Sequence, residues 1–151
     1  NGEINYFVAR SFRNHWKNYR NPNVSRNNII FNELFLNFNK ELIIVEGVFD
    51  AIVAGCNAVP LLGSTLSEEA KLFQEIAKND TSVYVALDAD AEKKSMSIIG
   101  KLLHYGIEVA KIDTRGYNDV GEMNKLEFIE RKQRATQVDS ENFLFYEAMT
   151  V

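Results

Sequence analysis

Leu42-Ile43-Ile44-Val45-Glu46-Gly47 is an apolar run that ends in a carboxylate and a glycine, and Asp50 follows four residues after Glu46. Val83-Tyr84-Val85-Ala86-Leu87-Asp88-Ala89-Asp90 is a second apolar run, ending in two aspartates that flank one alanine. Short continuous runs of aliphatic and β-branched residues read as buried strands. In open α/β sheets, ligand-binding and catalytic groups collect at the carboxyl ends of such strands. Two strands that end in acids therefore predict one acidic site.

Outward from these runs the pattern is regular. Val48–Ala54 reads as a short helix closed by Gly55, Ala58–Leu62 as a second strand ended by Gly63, and Ser82–Leu87 as a third. Thr65 and Glu68 have capping-box spacing ahead of a helix reaching about Lys78. Ala91–Tyr105 carries Ile98, Ile99, Leu102 and Leu103 on one face, with Gly106 as its stop. Ile107–Ile112 is a fourth strand, Asp113–Gly121 a polar loop and Glu122–Arg134 another helix. Strands alternating with helices predict an α/β fold, with a mainly parallel four-stranded sheet covered by helices on both faces.

The flanks differ. Residues 3–12 alternate partly and are rich in aromatic and β-branched types, which predicts a strand. His15 to Asn28 is a basic loop, and Ile29 to Phe38 reads equally as strand or helix. Residues 137–151 look like an amphipathic tail with Phe143, Leu144, Phe145 and Tyr146. The expected division is an N-terminal basic part over 1–40, an α/β domain over 41–135 and a helical tail over 136–151.

Composition limits the rest. The chain has 151 residues, 46% hydrophobic and 25% charged, so it can bury a real core as one domain with appendages. Its net charge of −4 argues against a wholly basic nucleic-acid coat. Yet Arg10, Arg13, Lys17, Arg20 and Arg26 face only Glu3 within the first 30 residues. The single cysteine, Cys56, excludes an internal disulfide and a cysteine-built zinc site, and it reads as a small apolar residue. No apolar run approaches the roughly 18 residues of a membrane span, and no signal peptide is visible. A reducing compartment fits. The first residue is Asn rather than Met, so a fragment or processed product is expected.

The candidate acids are Glu46, Asp50, Asp88, Asp90, Asp119 and Glu122. Crowded carboxylates repel one another, and divalent cations relieve that repulsion. Oxygen ligands without His or Cys select Mg²⁺ or Mn²⁺ over zinc. Asp88 and Asp90, two apart, point the same way if strand geometry persists that far. Metal-bound carboxylates of this kind serve phosphoryl transfer. Acids after strands are also common helix caps, and for Asp90 and Asp119 the cap and ligand readings stand side by side.

Glu46-Gly47-x-x-Asp50 followed by Asp88-x-Asp90 at a strand end resembles the Toprim domain of bacterial-type, DnaG-like primases, topoisomerases and certain nucleases. Leu61-Leu62-Gly63-Ser64-Thr65-Leu66-Ser67 resembles the segment that primases carry between the two acidic motifs. Gly116-Tyr117-Asn118-Asp119-x-x-Glu122 resembles their third acidic loop. Val8-Ala9-Arg10 and Asn18-Tyr19-Arg20-Asn21-Pro22 resemble stretches of the primase N-terminal subdomain. The likeness covers about residues 3–125, and it is closest to bacterial and phage primases. It implies a Toprim fold with part of a β-rich N-terminal subdomain, and DNA-templated synthesis of RNA primers from NTPs with Mg²⁺ or Mn²⁺. Glu46 would assist proton transfer, and Asp88 and Asp90 would be metal ligands supported by Asp50, Asp119 and Glu122. Arg10 and Arg20, with Lys17, Arg26 and Lys93, would meet template or nucleotide. Partners would be single-stranded DNA and a replicative helicase in the bacterial cytoplasm, with no membrane. Alternatives are a Toprim nuclease or topoisomerase-like cleaving enzyme, and a non-catalytic nucleic-acid-binding module. The sequence departs from the family pattern at two places. Ala91-Glu92-Lys93-Lys94 stands where a small residue and glycine usually follow the aspartates, and Gly121 stands where the third loop usually has a second aspartate.

Overall fold

A computed structural model of the chain describes residues 6–13, 19–63 and 65–149. Lys17 and the start of the expected strand over 3–12 lie outside these residues.

The core is a five-stranded sheet built from β3 (Leu42–Val45), β4 (Ala58–Pro60), β5 (Val83–Ala86), β6 (Val109–Lys111) and β7 (Thr136–Val138), in the order β4-β3-β5-β6-β7. The first four strands run parallel, and β7 pairs antiparallel with β6. The helices are α1 (Val48–Ala54), α2 (Lys71–Asn79), α3 (Glu92–His104), α4 (Lys125–Gln133) and α5 (Ser140–Met149).

Strand alternation sorts the apolar residues into two cores. Leu42 and Ile44 of β3 and Val83 and Val85 of β5 pack with Ile76 of α2, Ile98, Ile99 and Leu102 of α3, and Phe143 of α5. Ile43, Val45 and Ala86 face the other way, against Ala51 of α1 and Phe128 of α4. Because both faces are covered, all four residues of β3 are buried.

The mainly parallel α/β sheet with helices on both faces is present, but it has five strands rather than four. The fifth is Thr136-Gln137-Val138, of which only Val138 is buried. A three-residue antiparallel edge with one apolar side chain has too little periodicity to be read from sequence. Helix α2 begins at Lys71, not after Thr65. Leu66 is pulled into the core, Lys101 Nζ donates to the Leu66 carbonyl at 3.2 Å, and the Glu68 carboxylate accepts from Tyr105 Oη at 2.6 Å. The capping acid is therefore engaged elsewhere. Helix α4 begins at Lys125, capped by Asn124, whose side chain accepts from the Glu127 N–H at 2.9 Å. Residues 29–38 form neither strand nor α-helix; a 3-10 turn covers Glu33–Phe35, and Ile30 reaches the core.

Of the N-terminal part, β1 (Ala9–Arg10) and β2 (Tyr19–Arg20) form a short antiparallel ribbon. Among the described residues, no helix is long and apolar enough to cross a membrane.

Candidate active site

Neighbouring strands β3 and β5 run parallel with Val45 opposite Ala86, so Glu46 and Asp88 emerge at the same end of the sheet. A cleft of about 650 Å³ lies there. Glu46, Asp50, Asp88, Asp119 and Glu122 line it, together with Arg10 of β1 and Asn21 just after β2. Five of the six predicted acids are thus brought together.

Each acid has a distinct environment. Asp50 is 6% exposed and sits in the first turn of α1. Its Oδ2 accepts from the Gly47 N–H at 2.7 Å and its Oδ1 from the Gly121 N–H at 2.9 Å. A Cβ at position 47 would lie 2.9 Å from Asp50 Oδ2, so glycine is what lets this carboxylate close over the helix start. Burial raises the Asp50 pKa above 3.8, opposed by the two backbone hydrogen bonds and assisted by Asp119 and Glu46. Asp119 caps the 3-10 turn Val120–Glu122, its Oδ1 accepting from the Glu122 N–H at 2.9 Å, so the cap reading of this residue describes its geometry. Glu122 is held by Asn118, whose side-chain amide donates at 2.9 and 3.0 Å and whose backbone N–H donates at 3.1 Å. Those hydrogen bonds lower its pKa.

Asp88 differs from these. Its Oδ1 is buried with no hydrogen-bond partner. Burial first, then the charges of Glu46, Asp50, Asp119 and Asp90, push its pKa up to about 7. An orphaned carboxylate oxygen surrounded by negative charge is the local chemistry that a hard cation relieves. Among the described residues, no three acid, His or Cys side chains stand close enough together to hold an ion between them. An all-oxygen donor set of this kind would suit Mg²⁺ or Mn²⁺ rather than zinc, and Asp88 is the carboxylate left open to such an ion.

Asp90 does not share the orientation of Asp88. Strand β5 ends at Ala86, the chain turns at Ala89-Asp90, and the Ala91 N–H donates to the Asp88 carbonyl at 2.9 Å. Alternation stops before it reaches Asp90, which is exposed and does not line the cleft. Nor is Asp90 a helix cap, because Ala91 takes that position.

The basic residues also separate. Arg10 lines the cleft, its guanidinium 5.8 Å from the Phe49 ring centre. Arg20 is exposed on β2. Arg26 donates to the Leu62 carbonyl and lines a neighbouring hollow. Lys93 is exposed outside the cleft lining. Lys94, in the first turn of α3, reaches back to Glu46, its Nζ 3.0 Å from Oε1. A side chain in the first turn of a helix leans toward the helix start, here toward the strand ends. That position was the available signal. Phe49 and Tyr6, whose hydroxyl is buried without a partner, also belong to the cleft and carry no sequence motif of their own, whereas Asn21, which lines it too, lies in the motif-bearing stretch 18–22.

No family model and no curated protein matches the sequence. Solved structures do match. A DnaG primase catalytic domain bound to single-stranded DNA superposes over 96% of the chain, with a TM-score of 0.75 and 18% identity. The fold is that of a DnaG primase catalytic core. A second DnaG catalytic core covers 99% of the chain at a TM-score of 0.75 and 18% identity. The Aquifex aeolicus primase, comprising zinc-binding and RNA polymerase domains, covers 88% at a TM-score of 0.69 and 23% identity. The chain spans 51%, 54% and 37% of those three structures respectively. The DnaG-core likeness reaches beyond the acidic domain, since 96–99% coverage requires the N-terminal segment that carries Arg10.

Proposed function

We propose that this chain is the catalytic part of a DNA primase, which joins NTPs into short RNA on a single-stranded DNA template. The observation that carries the reading is the buried, unpartnered Oδ1 of Asp88 in a cleft that also presents Arg10. The DnaG-core fold supports it.

Asp88 would hold Mg²⁺ or Mn²⁺, with Asp119 facing it from the loop after β6. When bound, the ion supplies positive charge against the triphosphate and the charge that builds up during transfer. Glu46, at the end of β3, accepts the proton of the attacking 3′-hydroxyl. Asp50 touches no substrate; it fixes the acidic loop to α1. Arg10, which lines the same cleft, would meet phosphate of the template or the incoming nucleotide, so binding is salt-sensitive. The partners that follow are single-stranded DNA, NTPs and a replicative helicase.

The test is incubation with single-stranded DNA, NTPs and Mg²⁺ or Mn²⁺, read on a denaturing gel. Short RNA is expected, and both Asp88→Asn and Glu46→Gln should abolish it. Full synthesis by either variant overturns the assigned roles. DNA cleavage without NTP incorporation would instead establish the nuclease alternative. The absence of an acid at Gly121 favours one second reading, a non-catalytic DNA-binding module of a replication protein. That module would bind DNA, make no RNA, and keep its DNA affinity in Asp88→Asn.

A further inference from the structure

A two-ion phosphoryl-transfer centre needs enough free carboxylates to serve two cations about 3.5–4 Å apart. Here four of the five cleft acids are already engaged at one or both oxygens, Asp119 by the Glu122 N–H on its Oδ1. Both oxygens of Asp50 accept backbone N–H groups, and both oxygens of Glu122 accept from Asn118. Position 121 adds no acid, and a Cβ there would lie 3.1 Å from Oδ1 of both Asp50 and Asp119. Glu46 Oε1 is taken by Lys94 at 3.0 Å. Asp88 is the cleft acid with a buried, partnerless oxygen.

Lys94 is well placed for more than surface pairing. Its side chain is 20% exposed, and Glu46 lies 48 positions away in sequence, just past the carboxyl end of β3. An ammonium is a compact point charge, able to neutralise a carboxylate or face a phosphate without recruiting an ion. On the reading of the cleft as a metal-dependent site, we propose that Lys94 stands in for a second divalent cation. The site takes one ion, at Asp88, and the lysine supplies the second positive charge, at Glu46. Lys94 and a second ion then compete for the same carboxylate, and removing the lysine opens Glu46 to the ion.

The experiment counts Mn²⁺ bound to the full chain, using the electron paramagnetic resonance signal of free Mn²⁺ together with calorimetry. The wild-type protein should bind one ion. Lys94→Met should bind two, and the double variant Lys94→Met with Glu46→Gln should return to one. Lys94→Arg, which keeps the charge, should stay at one. Lys93→Met removes the same charge from the next position and should also stay at one. Two ions in the wild type, none in the wild type, or a Lys94→Met count that remains at one overturns the proposal. So does loss of the ion in Glu46→Gln alone, a readout that holds even if Lys94→Met fails to fold. The count does not depend on primer synthesis. A chain that makes no RNA yet passes from one ion to two loses the primase reading and keeps this one. A chain that makes RNA with two ions does the reverse.

Discussion

The backbone N–H of Gly121 donates to Oδ1 of Asp50 at 2.9 Å, joining residues 71 positions apart. With the 2.7 Å bond from the Gly47 N–H to Oδ2, it makes one buried carboxylate the brace between α1 and the acidic loop. An aspartate does this because each of its oxygens can only accept. In Asp50→Asn, one backbone donor would face the amide NH₂, leaving a buried N–H unsatisfied. Such a loss costs about 1–3 kcal/mol. The expected result is a lower urea midpoint with an unchanged slope, and wild-type stability in this variant would show that the brace contributes little.

Gly121 itself is tightly enclosed. Its added Cβ would meet Oδ1 of Asp50 and of Asp119 at 3.1 Å each, so Gly121→Ala should destabilise by about 1–3 kcal/mol through crowding. Gly121→Asp, which restores the acid usual in the resembling loop, should be worse, because it brings a third carboxylate against two. Chemical denaturation ranks the two variants against wild type. Equal or greater stability in Gly121→Asp would mean that the loop can open to accept an acid.

Asp88 makes the metal-free protein pH-sensitive. Burial and four neighbouring acids raise its folded pKa from 3.8 to about 7. Between those values the folded state binds more protons than the unfolded state, so stability falls as pH rises through the window. The readout is the melting temperature in EDTA from pH 4 to 8, compared between wild type and Asp88→Asn. The variant should be the more stable of the two at pH 8, and their difference should shrink toward pH 4. If Asp88 holds the proposed ion, adding Mg²⁺ should raise the wild type at pH 8, since a ligand that binds only the folded chain stabilises it. A wild type that gains on Asp88→Asn as pH rises would contradict the assignment.

Strands β3 and β5 are legible in the sequence because both of their faces are buried, which leaves continuous apolar runs, and because an acid at the end of such a run is conspicuous. Both motifs lead to the same end of the sheet in the structure. What stays illegible depends on partners far along the chain. Lys94 reads as a surface residue until Glu46, 48 positions away, is placed beside it. Asp90 reads as the twin of Asp88 only while the strand is assumed to continue past Ala86. Edge strand β7 contributes one buried side chain, too little for a periodic signal. The start of α2 is set by Tyr105 and Lys101, which engage Glu68 and Leu66 from a helix that the local sequence does not contain.

Helix α5 docks on α3 through an exchange of size between Gly100 and Phe143. A Cβ at position 100 would stand 2.6 Å from Phe143 Cζ and 3.3 Å from Cε1 and Cε2, so the ring lies directly on the glycine. Gly100 is inside α3, where alanine would ordinarily gain about 1 kcal/mol of helix stability. Gly100→Ala therefore sets two effects against each other: α3 gains, and the Phe143 ring must leave its seat. Phe143 packs at the margin of the main core, which Ile98, Ile99 and Leu102 fill without it. The loss should therefore concentrate in α5. Global stability should change little, while residues 140–149 should exchange amide hydrogens faster and be cut earlier by protease. Phe143→Ala should reproduce the faster exchange without the gain in α3. Undiminished protection of α5 in Gly100→Ala would show that the ring can tilt aside and keep its contacts.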